Sequence, residues 1–555
     1  MSRLSPKRKP GSPLEAGASM RPPADLIVTR AVVWTGDGRR PEAEAVAVRD
    51  DRIVAVGDTA DVGAWRGQHT RVIDAAGRLL LPGFNDAHVH FTEGGLQLEN
   101  VDLKEAGTAD EFVRRVGAQA EHTRQGDWVL GGGWDEKRWA HPELPSRHWI
   151  DPVTPGIPVL IHRCDMHSAL ANSLALQLAG ITSATPDPVG GAIVRNHAGE
   201  PTGILKDAAI GLAARVLPPM TAERRLRAVK RACGHAASVG VTSVQDMCPA
   251  SADQALYLEL AERGELITRM YVAPLETEWV KESGAGIRRG PGTPVLRFGA
   301  LKGFTDGSLG SATAYFFDPY CDAPDTRGLL TDEMQPHEDL VARLRAADEA
   351  GMQLCWHAIG DRAVSLTLDL FDEIERTRPR RERRFRVEHA QHVAAQDFER
   401  FARLDVIASV QPYHAIDDGC WAEQRVGVDR LHTSYPYRTF LDNRVRLALG
   451  TDWCVAPLDP MLTLYAATTR ATLDGKNPQG WLPEQRLSMT EAVSAYTAGS
   501  AYAEFQEQEK GSISVGKLAD LVLLSDDIFK LDPCRLRDVR VEFTIMGGKV
   551  VYQAA

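Results

Sequence analysis

Two histidines one residue apart, His88 and His90, close the stretch Leu81-Pro82-Gly83-Phe84-Asn85-Asp86-Ala87-His88-Val89-His90. On an extended chain the period of two places both imidazoles on one side, where they can ligate a single metal ion. A bare His-x-His is more often a pair of unliganded loop histidines, so the reading depends on further donors. Lys302, His357, His389 and Asp452 are the candidates. Each taken alone has a bland explanation: Lys302 as a surface lysine, His389 as a core histidine bonded to a carbonyl. Six metal-competent groups at the ends of β-type runs are harder to set aside.

Donors so far apart need a scaffold that returns the chain to one place. The apolar run Leu79-Leu80-Leu81 has the length and composition of a buried strand, broken by Pro82-Gly83 before the histidines. Further β-type runs lie at residues 241–245, 267–272, 296–304, 352–356, 385–388, 406–410 and 445–449, with helix-like stretches such as 338–350 and 363–376 between several of them. Eight such units predict an α/β fold, a (β/α)₈ TIM-type barrel, whose chemistry sits at the C-terminal ends of its strands. His88 and His90 then follow strand one, Lys302 lies in strand four, His357 follows strand five, His389 closes strand six and Asp452 follows strand eight.

About 150 residues separate the first strand from the second, too many for one βα unit. Residues 128–130 and 159–161 read as strands there, and 169–178 and 222–238 as helices, which predicts an inserted subdomain at about 107–220 over the barrel. Short β-type runs before residue 74 and after residue 520, with Gly547-Gly548-Lys549 as a hairpin turn, predict a composite β-sandwich from both chain ends. The expected division is a disordered leader at 1–24, the sandwich at 25–78 and 505–555, and the barrel with its insertion at 79–504. Met20 is an alternative start.

The chain has 555 residues, with 43% hydrophobic and 25% charged side chains, as in ordinary globular proteins. Its net charge of −11, from 75 acidic and 64 basic residues, gives no reason to expect nucleic acid or an anionic membrane as partner. No apolar segment approaches the roughly 18 residues of a membrane span. The eight cysteines include no Cys-x-x-Cys, which argues against a zinc ribbon or a redox dithiol. A cytoplasmic location is the expectation, with homo-oligomerisation left open.

The motifs, taken together, resemble the metal-dependent amidohydrolase superfamily and its YtcJ-like branch, which includes N-substituted formamide deformylases. They are Gly83-Phe84-Asn85-Asp86-Ala87-His88-Val89-His90, Gly132-Gly133-Trp134-Asp135, Asp165-Met166-His167-Ser168-Ala169-Leu170, Pro201-Thr202-Gly203-Ile204-Leu205, Lys302-Gly303-Phe304-Thr305-Asp306-Gly307-Ser308-Leu309-Gly310-Ser311, His357-Ala358-Ile359-Gly360-Asp361-Arg362-Ala363, Glu388-His389-Ala390 and Gly450-Thr451-Asp452. The resemblance implies that His88, His90, His357, His389 and Asp452 are metal ligands. It implies that Lys302 is carbamylated and bridges two metals, although some members of the superfamily bind one. Imidazole and carboxylate without thiolate suit zinc, with iron, manganese or nickel as alternatives.

Such a centre activates water and polarises a carbonyl, with Asp452 as the expected general base and acid. The expected substrate is a small molecule with a C–N bond at an activated carbonyl: an amide, formamide, carbamate or cyclic amide. Trp134, Asp135 and Asp165 from the insertion, with Gln411, His414 and Trp453, are the candidate substrate contacts. Asp361 is expected to orient a ligand histidine. The competing readings are a mononuclear deaminase on the same barrel and a non-catalytic binding protein.

Overall fold

The computed structural model describes residues 22–136, 139–163, 168–188, 191–282, 292–377 and 381–555. Most of the expected leader, and Asp165 with its neighbours Met166 and His167, lie outside the described residues. Both chain ends contribute to one six-stranded sheet. Leu79–Pro82 runs antiparallel to Leu521–Leu524, with Leu80 opposite Leu523, and parallel to Val32–Trp34 on its other side. Val541–Met546 and Lys549–Gln553 continue the sheet beyond Leu521–Leu524.

A four-stranded sheet of Arg52–Gly57, Ala45–Arg49, Leu26–Thr29 and Arg71–Asp74 packs against it. Val28, Val46, Val48 and Ile73 share one apolar cluster with Leu80, Leu521, Leu523 and Ile545. Leu79 and Leu81 point the other way, into the main core. This two-sided burial explains the unbroken apolar run, since a strand covered on both faces has no solvent side to mark with polar residues. The same fact corrects an expectation: Leu79-Leu80-Leu81 belongs to the terminal sheet and does not lead the parallel strands.

The parallel strands are Phe84–Val89 (β1), Val241–Met247 (β2), Arg269–Ala273 (β3), Ala300–Phe304 (β4), Gln353–Ala358 (β5), Arg386–His389 (β6), Ile407–Val410 (β7) and Leu447–Leu449 (β8). β1, β2 and β3 form one sheet with Leu296–Phe298 at its edge, and β4 to β8 form a second. The run 296–304, expected as one strand, is divided at Gly299, where a Cβ would lie 2.7 Å from the Tyr271 ring. Its first part pairs with β3 and its second with β5. Parallel bridges Leu275–Lys302 and Val89–Trp453 join the two sheets at both edges.

Helices cover the outside. Asp361–Thr377 buries Val364, Leu368, Phe371 and Ile374, a stripe at helical spacing. Ala222–Ser238 starts at Thr221, whose side chain accepts from the Arg224 amide. The insertion forms a six-stranded sheet together with Val101–Asp102, which lies just before its expected start, in the order Gly191–Arg195, Pro201–Asp207, Ser168–Ala171, Leu160–Arg163, Gly131–Trp134, Val101–Asp102. Residues 169–178, expected as a helix, are half strand: Ser168–Ala171 pairs on both sides, and the helix Ser173–Leu178 starts only after Asn172. Leu170 enters one core cluster and Ala169 and Ala171 another, the period-two split of a strand buried on both faces. No helix among the described residues is long and apolar enough to cross a membrane.

Candidate metal centre

The ends of the parallel strands turn sharply to present their side chains. His389 (φ 73°), Ala390 (φ 43°) and Asp452 (φ 62°) adopt left-handed backbone conformations that ordinary residues rarely occupy. Strain of this kind persists where surrounding contacts hold it. Asp86 supplies several of them: its Oδ1 accepts from Thr451 N (2.9 Å) and His88 N (3.2 Å), and its Oδ2 accepts from the Tyr496 hydroxyl (2.8 Å). The approach is close enough that a Cβ on Gly450 would lie 2.6 Å from the His88 amide nitrogen. The end of β8 is thereby fastened beside the end of β1.

The six residues singled out from the sequence lie together. His88, His389 and Asp452 are buried, and each offers one ligating atom within 4.8 Å of the others. Asp452 Oδ1 lies 3.2 Å from His90 Nε2 and 3.6 Å from His88 Nε2. The His357 ring centroid is 4.5 Å from that of His389. Lys302 Nζ is 3.4 Å from His88 Nε2 and 5.0 Å above the Phe304 ring, with no carboxylate partner among the described residues.

Each histidine is held at one ring nitrogen. His88 Nδ1–H donates to Glu388 Oε2 (2.7 Å), and His90 Nδ1–H to the Met247 carbonyl (3.0 Å). His389 Nδ1–H donates to Gln411 Oε1 (2.9 Å), and His357 Nε2–H to the Gly307 carbonyl (3.1 Å). These partners select the tautomer that leaves the other nitrogen as a lone-pair donor, the usual support of a metal-ligating imidazole. Asp452 Oδ1 is buried and has no hydrogen-bond partner among the described residues. An orphaned carboxylate oxygen among oriented imidazoles fits a divalent cation.

Electrostatics agree. Burial, with the Lys302 side chain beside them, lowers His88 to about 4 and His357 to about 3, so both rings are neutral at pH 7. Burial also takes His389 well below the ordinary histidine value. Burial opposes charge on His90 and His414 too, but the Asp452 carboxylate outweighs it and raises both. Asp452 would rise on burial alone; the His414 and His90 rings hold it well below the usual carboxylate range. Burial would likewise raise Glu388, yet Arg386 and His88 bring it down to about 2.

Several expected substrate contacts have other surroundings. Gln411 is occupied in orienting His389. The Trp453 ring is 3% exposed and packs against Phe91 and His235 behind the site, because the bridge to Val89 turns it inward. Trp134 is fully buried against Phe112 in the core of the inserted sheet. Asp135 pairs with Arg163 at 2.8 Å. His414 does reach the site, with Nε2 3.3 Å from Asp452 Oδ2. Asp361 pairs with no histidine among the described residues: its Oδ1 accepts from the Phe317 amide (2.9 Å) and so fixes a loop. The carboxylates nearest the histidines, apart from Asp452, are Glu388 and Asp306, the latter with Oδ1 3.6 Å from His357 Nε2. Both stand inside motifs quoted above, and their neighbourhood with the histidines is the signal that could have found them.

Parallel strands whose C-terminal ends gather buried imidazoles and a carboxylate define a metal-dependent hydrolase. The amidohydrolase family pattern matches residues 71–552, and the chain belongs to that family. Protein LONG AFTER FAR-RED 3 of Arabidopsis thaliana is 38% identical to it over 96% of this chain and 93% of its own. Putative amidohydrolase YtcJ of Bacillus subtilis is 32% identical over 92% and 96%, and N-substituted formamide deformylase of Arthrobacter pascens 28% identical over 95% and 98%. Among solved structures, an uncharacterized metal-dependent hydrolase from Pyrococcus horikoshii gives a TM-score of 0.75 at 28% identity, covering 92% of this chain and 99% of that one.

Proposed function

We propose that this hydrolase cleaves a C–N bond at an activated carbonyl, in an amide, formamide, carbamate or cyclic amide. The observation that carries the reading is the buried set His88, His389 and Asp452, whose imidazoles are each held by a hydrogen bond at one ring nitrogen. With His90 and His357 they would hold a divalent metal, zinc by donor type. Lys302 would join them as a carbamate if two metals bind. When bound, the metal supplies Lewis acidity, which polarises a carbonyl and makes water a nucleophile at a pH of about 7. Asp452 would accept a proton from the attacking water and return it to the departing nitrogen. His414 steadies the carboxylate from its other oxygen.

The same reading takes the eight parallel strands as one (β/α)₈ barrel, supported by the bridges at both edges of the two sheets. It divides the chain into a composite β-sandwich from the two ends, a barrel, and an inserted subdomain at about 107–220, with the first boundary moved past Pro82. A small-molecule substrate follows from the enclosed donor set. A cytoplasmic location draws support from the described cysteines, all free.

The relationship to a formamide deformylase makes N-formyl and N-acyl compounds the first to try. The test is a screen of the metal-loaded protein against N-formyl, N-acyl and cyclic amides, with metal content measured on the same sample. Hydrolysis of one class with metal bound is the expected result. Ammonia release from amino-substituted rings, with near one equivalent of metal, would replace the reading with a deaminase.

A further inference from the structure

Beneath the metal centre lies a charged group that the reaction does not use. Arg386 is fully buried, and its guanidinium reaches four parallel strands. Nε lies 2.7 Å from Glu388 Oε1 on β6. One terminal nitrogen donates to the Ala87 carbonyl on β1 (2.6 Å) and to Ser409 Oγ on β7 (2.8 Å), and the other to Gln245 Oε1 on β2. Glu388, also fully buried, turns its remaining oxygen to His88 Nδ1. Arg386 therefore grips His88 twice, through the peptide carbonyl just before it and through the carboxylate behind its ring.

A buried ion pair costs desolvation that an apolar pair of similar volume would not, so packing alone is a weak reason to place one here. The neighbouring histidines show what the charge adds. His90 and His357 rest on backbone carbonyls and His389 on an amide oxygen, all neutral acceptors. His88 rests on a carboxylate. An anionic acceptor makes an imidazole a stronger donor to a metal and fixes its orientation.

We propose that Glu388, clamped by Arg386, is a positioning residue that makes His88 the strongest imidazole donor of the centre and so sets its metal affinity. The proposal rests on the reading of His88 as a ligand. The test compares full-length wild type with Glu388→Gln, which keeps the side chain's size, removes the charge and leaves a single acceptor oxygen between the Arg386 and His88 donors. Zinc affinity is measured on the metal-free proteins by competition with a chromophoric chelator, and visible absorption is recorded after cobalt(II) loading. Glu388→Gln is expected to bind zinc about 10- to 100-fold more weakly, with a shifted cobalt spectrum and an unchanged far-ultraviolet circular dichroism spectrum. A residue that only stabilises the fold would lower the melting temperature and leave both metal readouts alone. Glu388→Asp keeps the charge beside Arg386 but withdraws it from His88, so it must weaken zinc binding in the same direction even if the glutamine variant fails to fold. Wild-type affinity and spectrum in either folded variant would overturn the proposal. A wild-type protein that binds no metal would overturn the reading of the centre itself, and this proposal with it.

Discussion

An ammonium among imidazoles is an uncomfortable neighbour, and Lys302 is 1% exposed with its Nζ against His88 Nε2. Carbamylation would turn that cation into a two-oxygen anion able to join the ligand set. Lys302→Ala is therefore expected to lose bound metal and about 100-fold or more in turnover, the scale on which loss of one electrostatic contact in an active site acts. Short carboxylic acids added with metal should restore part of both; Lys302→Arg should restore neither, because guanidinium stays charged. Full metal content and activity in Lys302→Ala, by elemental analysis and kinetics, would end the bridging role. Gln411 decides between two readings of one side chain. If it orients His389, as its 2.9 Å hydrogen bond indicates, Gln411→Leu should lower kcat and metal affinity with KM little changed. A rise in KM alone, with metal retained, would return it to the substrate contacts.

The elements depend on polar fasteners as much as on packing. Asp86 accepts from β1, from the turn after β8 and from Tyr496, all in the interior. Tyr496→Phe leaves a buried carboxylate oxygen short of a donor, so a loss of about 1–3 kcal/mol in denaturant unfolding is expected; unchanged stability would show that another donor replaces the hydroxyl. The helix Met489–Ser494 has a capping box in which Ser488 and Glu491 satisfy each other's backbone amides, and Arg438 pairs with the Glu491 carboxylate. The Arg438 hydrogen bond, foremost among the causes, lowers Glu491 to about 2. A carboxyl lowered by folding stabilises above its unfolded pKa of about 4.3 and loses that contribution as pH falls toward the folded value. The gap in melting temperature between wild type and Glu491→Gln should therefore narrow between a pH of about 6 and about 3. A gap independent of pH would mean that charge plays no part in the cap.

On the scale of the molecule, the two ends and the insertion do different work. Leu521–Leu524 covers Leu79–Pro82 along its whole length, and removing residues 512–555 would uncover Leu80 on one face and Leu79 and Leu81 on the other. The truncated chain should be insoluble on expression; a soluble, active product would show that the terminal sheet is dispensable. Arg227 on the helix Ala222–Ser238 ties down both the insertion, through Asp127 (3.4 Å), and the segment leading into it, through Glu99 (3.6 Å). In that leading segment Lys104 bears electrostatically on Asp417, three residues from His414. Trp134→Ala removes the ring that packs on Phe112, so a loss of about 3–5 kcal/mol is expected within the inserted sheet. Substrate preference should change with metal content unaltered; loss of metal would place the insertion at the centre itself.

The sequence by itself picked out the six residues that the structure gathers, the parallel strands and the sheet built from both ends. Residue type restricts metal ligation to a few side chains, and buried strands announce themselves as apolar runs. It also carried the family, because the motifs around His88, Lys302, His357, His389 and Asp452 are read as a set. What it could not assign was the partner of each donor. Gln411 stands behind His389, Trp453 behind the site, and Glu388 in place of Asp361 as the carboxylate that orients a histidine. The side a residue faces depends on pairing across strands hundreds of positions apart, as with Glu388 beneath His88. The strand Leu79–Pro82 was visible as a strand, yet its sheet was decided by Leu521–Leu524. Burial on both faces erases the polar alternation that would have marked the side it belongs to.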